Sequence, residues 1–240
     1  MTATLFIVYV GLIAAIVIGL ALRYLPRSAG VIVSVGLPFW LLYVGSLGWF
    51  GIVRPLPGQP PGVLLIFIPL ILFIALVLMR SAAGLRSALA VPLWLLLGLQ
   101  TFRIGVELFM HQFWLAGLAP KMLTYEGANV DILVGVTAPL IAWIATKGGV
   151  GLRIALLWNI LGLCSLINVI VRSVLTAPGP LNILQGDLPN LVPVTFPYIF
   201  LPAFFPPLAI SLHVLAIRAI RKHLRDAKEP SSSAISGEIT

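Results

Sequence analysis

Residues Ala88 to Trp114 read ALAVPLWLLLGLQTFRIGVELFMHQFW. The run is apolar enough to lie in lipid, yet Arg103, Glu107 and His111 follow one another inside it at steps of four. An α-helix turns about 100° per residue, so the three side chains share one stripe, with Gln100 beside them. Ionisable groups at membrane depth are costly and persist where they face other protein or trapped water. This stretch therefore reads as one helix of a polytopic membrane protein with a polar interior.

Composition extends that reading to the whole chain. Of 240 residues, 60% are hydrophobic and 9% charged, whereas a soluble domain carries roughly 25% charged residues. Mean hydropathy is +1.10, so lipid must serve as the solvent for most of this surface. The single cysteine, Cys164, excludes an intrachain disulfide and a cysteine zinc cage. The formal charge of +8 does not point to nucleic acid, because the basic residues fall in short gaps between apolar runs and near the C-terminus. No Walker A, G-x-S-x-G, H-E-x-x-H or C-x-x-C motif is present.

A spanning helix needs roughly 20 mostly apolar residues. Seven runs qualify: Leu5 to Leu22, Val31 to Val53, Val63 to Met79, Ala88 to Trp114, Ile132 to Thr146, Leu152 to Leu175, and Val192 to Ile220. The expectation is an all-α bundle of seven transmembrane helices. With that count, Arg23, Arg27, Arg80, Arg86, Lys147, Arg153 and the group Arg218, Arg221, Lys222, Arg225 and Lys228 all fall on one side. The positive-inside rule then puts the N-terminus outside and the C-terminus in the cytoplasm. Met-Thr-Ala-Thr lacks a basic segment, so the first run reads as a retained helix rather than a signal peptide. Residues 1–225 form one membrane domain, and the Ser-rich stretch 226–240 reads as a disordered cytoplasmic tail.

Depth along each run locates the polar groups. Gln100 and Arg103 fall near the centre of the fourth run; Glu107 lies about 6 Å and His111 about 12 Å further towards the outside. Asn168 and Arg172 in the sixth run share a face at similar depth, with Ser165 beside them. Glu126, Asn129 and Asp131 precede or open the fifth run, and Tyr198 sits in the outer part of the seventh. These positions outline a polar cavity open to the outside. Glu107 pairs with Arg103 on its own helix or with Arg172 across the bundle; the network is either a site or a device that fixes helix packing.

The seventh run carries Pro193, Pro197, Pro202, Pro206 and Pro207. Each proline lacks an N–H and frees the carbonyl four residues earlier. Freed carbonyls at membrane depth are tolerated only where protein or water satisfies them, and broken helices line the sites of transporters. Pro197, Pro202, Pro206 and Pro207 therefore mark a helix break. His111 and His213 should differ by about 25 Å along the membrane normal, which excludes one haem or metal held by both. His213 reads as a packed or cytoplasm-facing histidine rather than a ligand, and no cofactor or metal is expected.

Three segments carry a resemblance: Gln100-Thr-Phe-Arg103-Ile-Gly-Val-Glu107; Glu126-Gly-Ala-Asn129-Val-Asp131 with Gly135 and Ala138-Pro139; and Trp158-Asn159 with Phe196-Pro197 and Leu201-Pro202. Together they resemble a functionally uncharacterised family of bacterial multi-pass inner-membrane proteins. The resemblance covers most of the last four runs and implies a bacterial inner membrane, but no chemistry. From the residues themselves, the first expectation is a small transporter or permease-like protein. In it Arg103 draws an anionic or polar ligand and Glu107 titrates or acts as counter-charge. The alternatives are a non-catalytic membrane subunit or sensor, and an outer-face enzyme using Glu126, Asp131 and His111. The expected partners are the lipid bilayer, a small polar or anionic ligand and a homo- or hetero-oligomer, with no nucleic acid.

Overall fold

A computed structural model describes residues 3–54, 62–178 and 182–227. Residues 228–240, most of the expected polar tail, lie outside them. The described residues are helical, with no strand among them. Helices α1 (Ala3–Tyr24) and α2 (Arg27–Trp49) form an antiparallel hairpin around Pro26. On α2 the residues Ile32, Val35, Phe39 and Leu42 recur at helical spacing and are 65–74% exposed. An outward apolar stripe of this kind belongs against lipid tails, where it costs nothing to leave unburied.

Helix α3 (Leu64–Leu72) widens into π-type turns over Phe73–Arg80, and α4 (Ala82–Ala90) follows at a bend of 76°. Carbonyls left open at the bend find donors. The Arg218 guanidinium donates to Leu78 O and, at 3.0 Å, to Ser81 O. Ser81 caps α4 by accepting from Gly84 N at 2.9 Å. The third and fourth apolar runs therefore divide differently from the sequence expectation. Ala88 to Ala90 belong to α4, and the next helix starts only after Val91-Pro92, because a residue before proline is pushed out of the helical region.

From there α5 (Leu93–Gly98), a 3-10 turn (Leu99–Thr101) and α6 (Phe102–Leu115) run on as one 23-residue rod. The rod ends in a Schellman motif. Gly117 adopts φ +75°, its N–H reaches Trp114 O, and Leu118 N–H reaches Phe113 O at 2.8 Å. Then come α7 (Asp131–Ala145), α8 (Gly149–Thr176), a 3-10 turn (Val192–Val194) and α9 (Phe200–Asp226). Helix α9 is the hub, touching α2, α4, α5, α6 and α8.

Five helices are long and apolar enough to cross a membrane, or six if the bent α3–α4 pair is one crossing. Helix α7 has 15 residues, about 22 Å against a hydrocarbon core of roughly 30 Å. Every expected run contains a helix, but full spanning length is reached by five or six of the seven.

The seventh run is also corrected at its start. Pro193 and Pro197 lie before α9, and Pro202 sits in its first turn, where no intrahelical N–H bond is due. Only Pro206 and Pro207 interrupt the helix. The Ala203 carbonyl, which Pro207 cannot serve, accepts the Trp40 indole N–H at 3.0 Å. Helix α9 continues through Pro206 and Pro207 to Asp226.

Candidate functional site: a buried polar network beside a small cavity

Arg103 sits one residue into α6 and is 2% exposed. Its ion-pair partner is Asp131, the first residue of α7. A carboxylate there also faces the positive end of the α7 dipole, so the position suits a buried negative charge twice over. The Ser165 hydroxyl of α8 donates to the other Asp131 oxygen. Arg103 Nη1 meets His213 Nε2 at 3.2 Å, and His213 Nδ1 meets Asn159 Oδ1 at 2.8 Å. Arginine only donates, so Nε2 accepts and the ring proton sits on Nδ1, donated to Asn159. Asn159 Nδ2 in turn donates to Ala155 O at 2.7 Å, which fixes its amide orientation. Four helices, α6, α7, α8 and α9, thus meet through one directional chain of bonds.

The His213 ring reaches α8 only because position 162 is glycine. A Cβ there would lie 2.6 Å from His213 Cε1. His213 and Asn159 were not among the expected site residues. The signal was present: residue 213 is the midpoint of α9 as it folds, level with a centrally placed Arg103, but the run drawn from Val192 displaced it towards the cytoplasm.

Glu107 lies one turn beyond Arg103 and is 2% exposed. It pairs with neither Arg103 nor Arg172; among the described residues it has no ion-pair partner. Its Oε2 accepts from Asn129 Nδ2 at 2.7 Å. Asn129 also donates to Leu123 O at 2.9 Å and accepts from the backbone N–H of Asp131 at 2.9 Å, which ties the loop before α7 to the Glu107 carboxyl and to the first turn of α7.

The remaining expected residues separate. Gln100 is buried and donates to Ala209 O at 3.1 Å, leaving its Oε1 without a partner among the described residues. Asn168 and Arg172 bond each other at 2.8 Å along α8, and Asn168 holds Ala128 O at 3.2 Å. His111 stacks on Tyr125 at 4.9 Å with Glu126 at 3.6 Å, in a separate cluster near the end of α6 that includes Lys121, Trp114 and Asp187. Tyr198 packs its ring on Phe113 at 4.5 Å and on Phe6, inside an aromatic core and away from the polar chain.

A cavity of about 60 Å³ borders this network. Arg103, Glu107 and Asp131 line one part of it, Ser173 and Asn190 another. The walls between are apolar, contributed by Phe67, Val106, Met110, Leu166, Ile170 and Phe205 among others. Among the described residues, no group of three or more His, Cys, Asp or Glu side chains is arranged to hold a metal ion.

These features define a class: an all-helical membrane protein, apolar on its outside and ionised within. The chain belongs to the family described as Domain of unknown function (DUF8737), whose model matches residues 60–221. That span contains every residue of the Arg103 network and the cavity, and leaves out α1 and α2. No curated protein and no solved structure matches the chain.

Proposed function

We propose that this is a small permease-like protein of the cell membrane, which takes a small polar solute or ion in the cavity beside Glu107. One observation carries the reading: a buried carboxyl borders a cavity and has no counter-charge among the described residues. A buried ionisable group left unpaired is expensive, and such groups in membrane helices mark substrate and ion paths. Arg103 is a poor candidate for attracting an anion, because Asp131 neutralises it and His213 occupies its second nitrogen. Its role is to position α7, α8 and α9 around the cavity. In this reading the chain crosses seven times, with α4 lying along the cytoplasmic surface, the N-terminus outside and the C-terminus inside.

The test is flux in proteoliposomes under imposed gradients of protons, sodium, potassium and small organic solutes. Wild-type protein should exceed protein-free vesicles for at least one of these, and Glu107→Gln should lower that flux tenfold or more (about 1.4 kcal/mol at the barrier). Flux equal in wild type and Glu107→Gln would overturn the assignment. A second reading has its own support: the chain Asp131–Arg103–His213–Asn159 is internally satisfied and joins four helices, as expected of a membrane subunit or sensor whose network is architectural. Wild-type vesicles as tight as empty ones to every solute would favour it.

A further inference from the structure

We infer that the cavity beside Glu107 binds a small primary ammonium group carried on a short hydrocarbon chain. The inference deepens the proposal above and rests on its reading of this cavity as the ligand site. Two separate groups on the cavity offer acceptors in want of donors. The first is the Glu107 carboxyl, which receives only the Asn129 amide. The second is Asn190, 1% exposed, on the segment leading into α9. Its Nδ2 donates to Ser173 O and to Ser173 Oγ, each at 3.0 Å, and these bonds determine which end of the amide is oxygen. The remaining Oδ1 is buried without a partner among the described residues. A buried acceptor left open costs free energy that a donor from a ligand would recover.

Charge points the same way. Arg103 and Asp131 cancel, so the lining carries no surplus positive charge, and the free group is a carboxyl. An anion would meet no positive charge there that Asp131 does not already neutralise. Hard metal cations want about six or more oxygen ligands, and the walls are instead largely apolar, with Phe67, Phe102 and Phe205 among them. Aromatic rings and a lone carboxyl suit an organic ammonium. The volume of about 60 Å³ holds roughly four water-sized groups, which matches an ammonium nitrogen and two or three carbons.

The experiment uses the full chain in mild detergent. Its thermal unfolding midpoint is followed during titration with propylammonium chloride, sodium propionate, 1-propanol and sodium chloride at matched ionic strength. A ligand that binds only the folded state raises the midpoint saturably. Propylammonium should do so, and the other three should not. Glu107→Gln and Asn190→Ala should each weaken the apparent affinity for propylammonium about tenfold or more. A saturable shift with propionate or propanol as large as with propylammonium would overturn the inference. So would no shift with propylammonium, or full affinity in both variants. Should either variant fail to fold, the wild-type ligand series decides alone. Binding of propylammonium without flux of any solute would sink the permease reading and leave this one standing; flux of another solute without propylammonium binding would do the reverse.

Discussion

Asp131 answers a need that Arg103 creates. A guanidinium in the interior of a helical bundle is tolerable only with a counter-ion and with its remaining donors engaged. Asp131→Asn should therefore destabilise the protein by about 3–5 kcal/mol, because it leaves the charge unpaired. The double substitution Arg103→Met with Asp131→Leu should cost less than the single one, since it removes both charges together. Unfolding midpoints in detergent and denaturant measure both, and a double variant worse than Asp131→Asn would refute the pairing as a charge effect. At this scale half the site was legible. The spacing of Arg103 and Glu107 on an apolar run announced a polar stripe. Asn129 and Asp131 were placed at the same cavity, but their pairing with Glu107 and Arg103 was hidden: Asp131 opens a helix after a loop, where a carboxylate ordinarily meets solvent, and folding brings Leu123, Thr124 and Asn129 of that loop inward.

The elements depend on where prolines fall relative to helix ends. Five prolines in the run 192–207 suggested a broken helix, yet three precede α9 or lie in its first turn, where they cost no hydrogen bond. Periodicity alone could not separate these cases, since the whole run is apolar. Pro207 does open the Ala203 carbonyl, and α2 supplies the donor from Trp40. Trp40→Phe keeps most of the packing and removes that donor, so it should cost about 1–2 kcal/mol. In a Pro207→Ala background the new N–H can serve Ala203 itself, and the same Trp40→Phe change should then cost roughly 0.5 kcal/mol or less. A double-mutant cycle on unfolding free energies reads this coupling. Equal costs in the two backgrounds would show that the indole contributes only bulk.

At the scale of the whole molecule, the seven crossings proposed above have to fit a bilayer of fixed thickness. Helix α7 is too short to cross alone, but its N-terminus is anchored by Asp131 at the level of Arg103, and the loop 121–130 leading into it buries Leu123, Thr124 and Asn129. In the proposed topology loop and helix together supply the missing length, and the loop N–H groups of Leu123, Thr124, Gly127, Ala128 and Asn129 are bonded to carbonyls of the loop itself or of Pro120 before it. The bent α3–α4 pair solves the opposite problem. Leu64–Arg80 is about 25 Å long, close to one crossing. Arg218 then fastens the bend before α4 to α9, and in the proposed topology Arg80 and Arg86 lie on the cytoplasmic side with Arg218. That topology follows the charge asymmetry of the sequence. It fixes a labelling pattern for single cysteines placed in a Cys164→Ser background. Exposed positions Ser28, Lys147 and Arg225 should react with a membrane-impermeant maleimide only from the cytoplasmic side, and Glu126 and Asp187 only from the outside. Lys147 and Glu126 flank α7, so their labelling from the same side would show that α7 and its loop do not cross. The Arg103 network would then lie near one membrane surface instead of at depth. The cost of burying its charges, on which the functional reading depends, would fall accordingly.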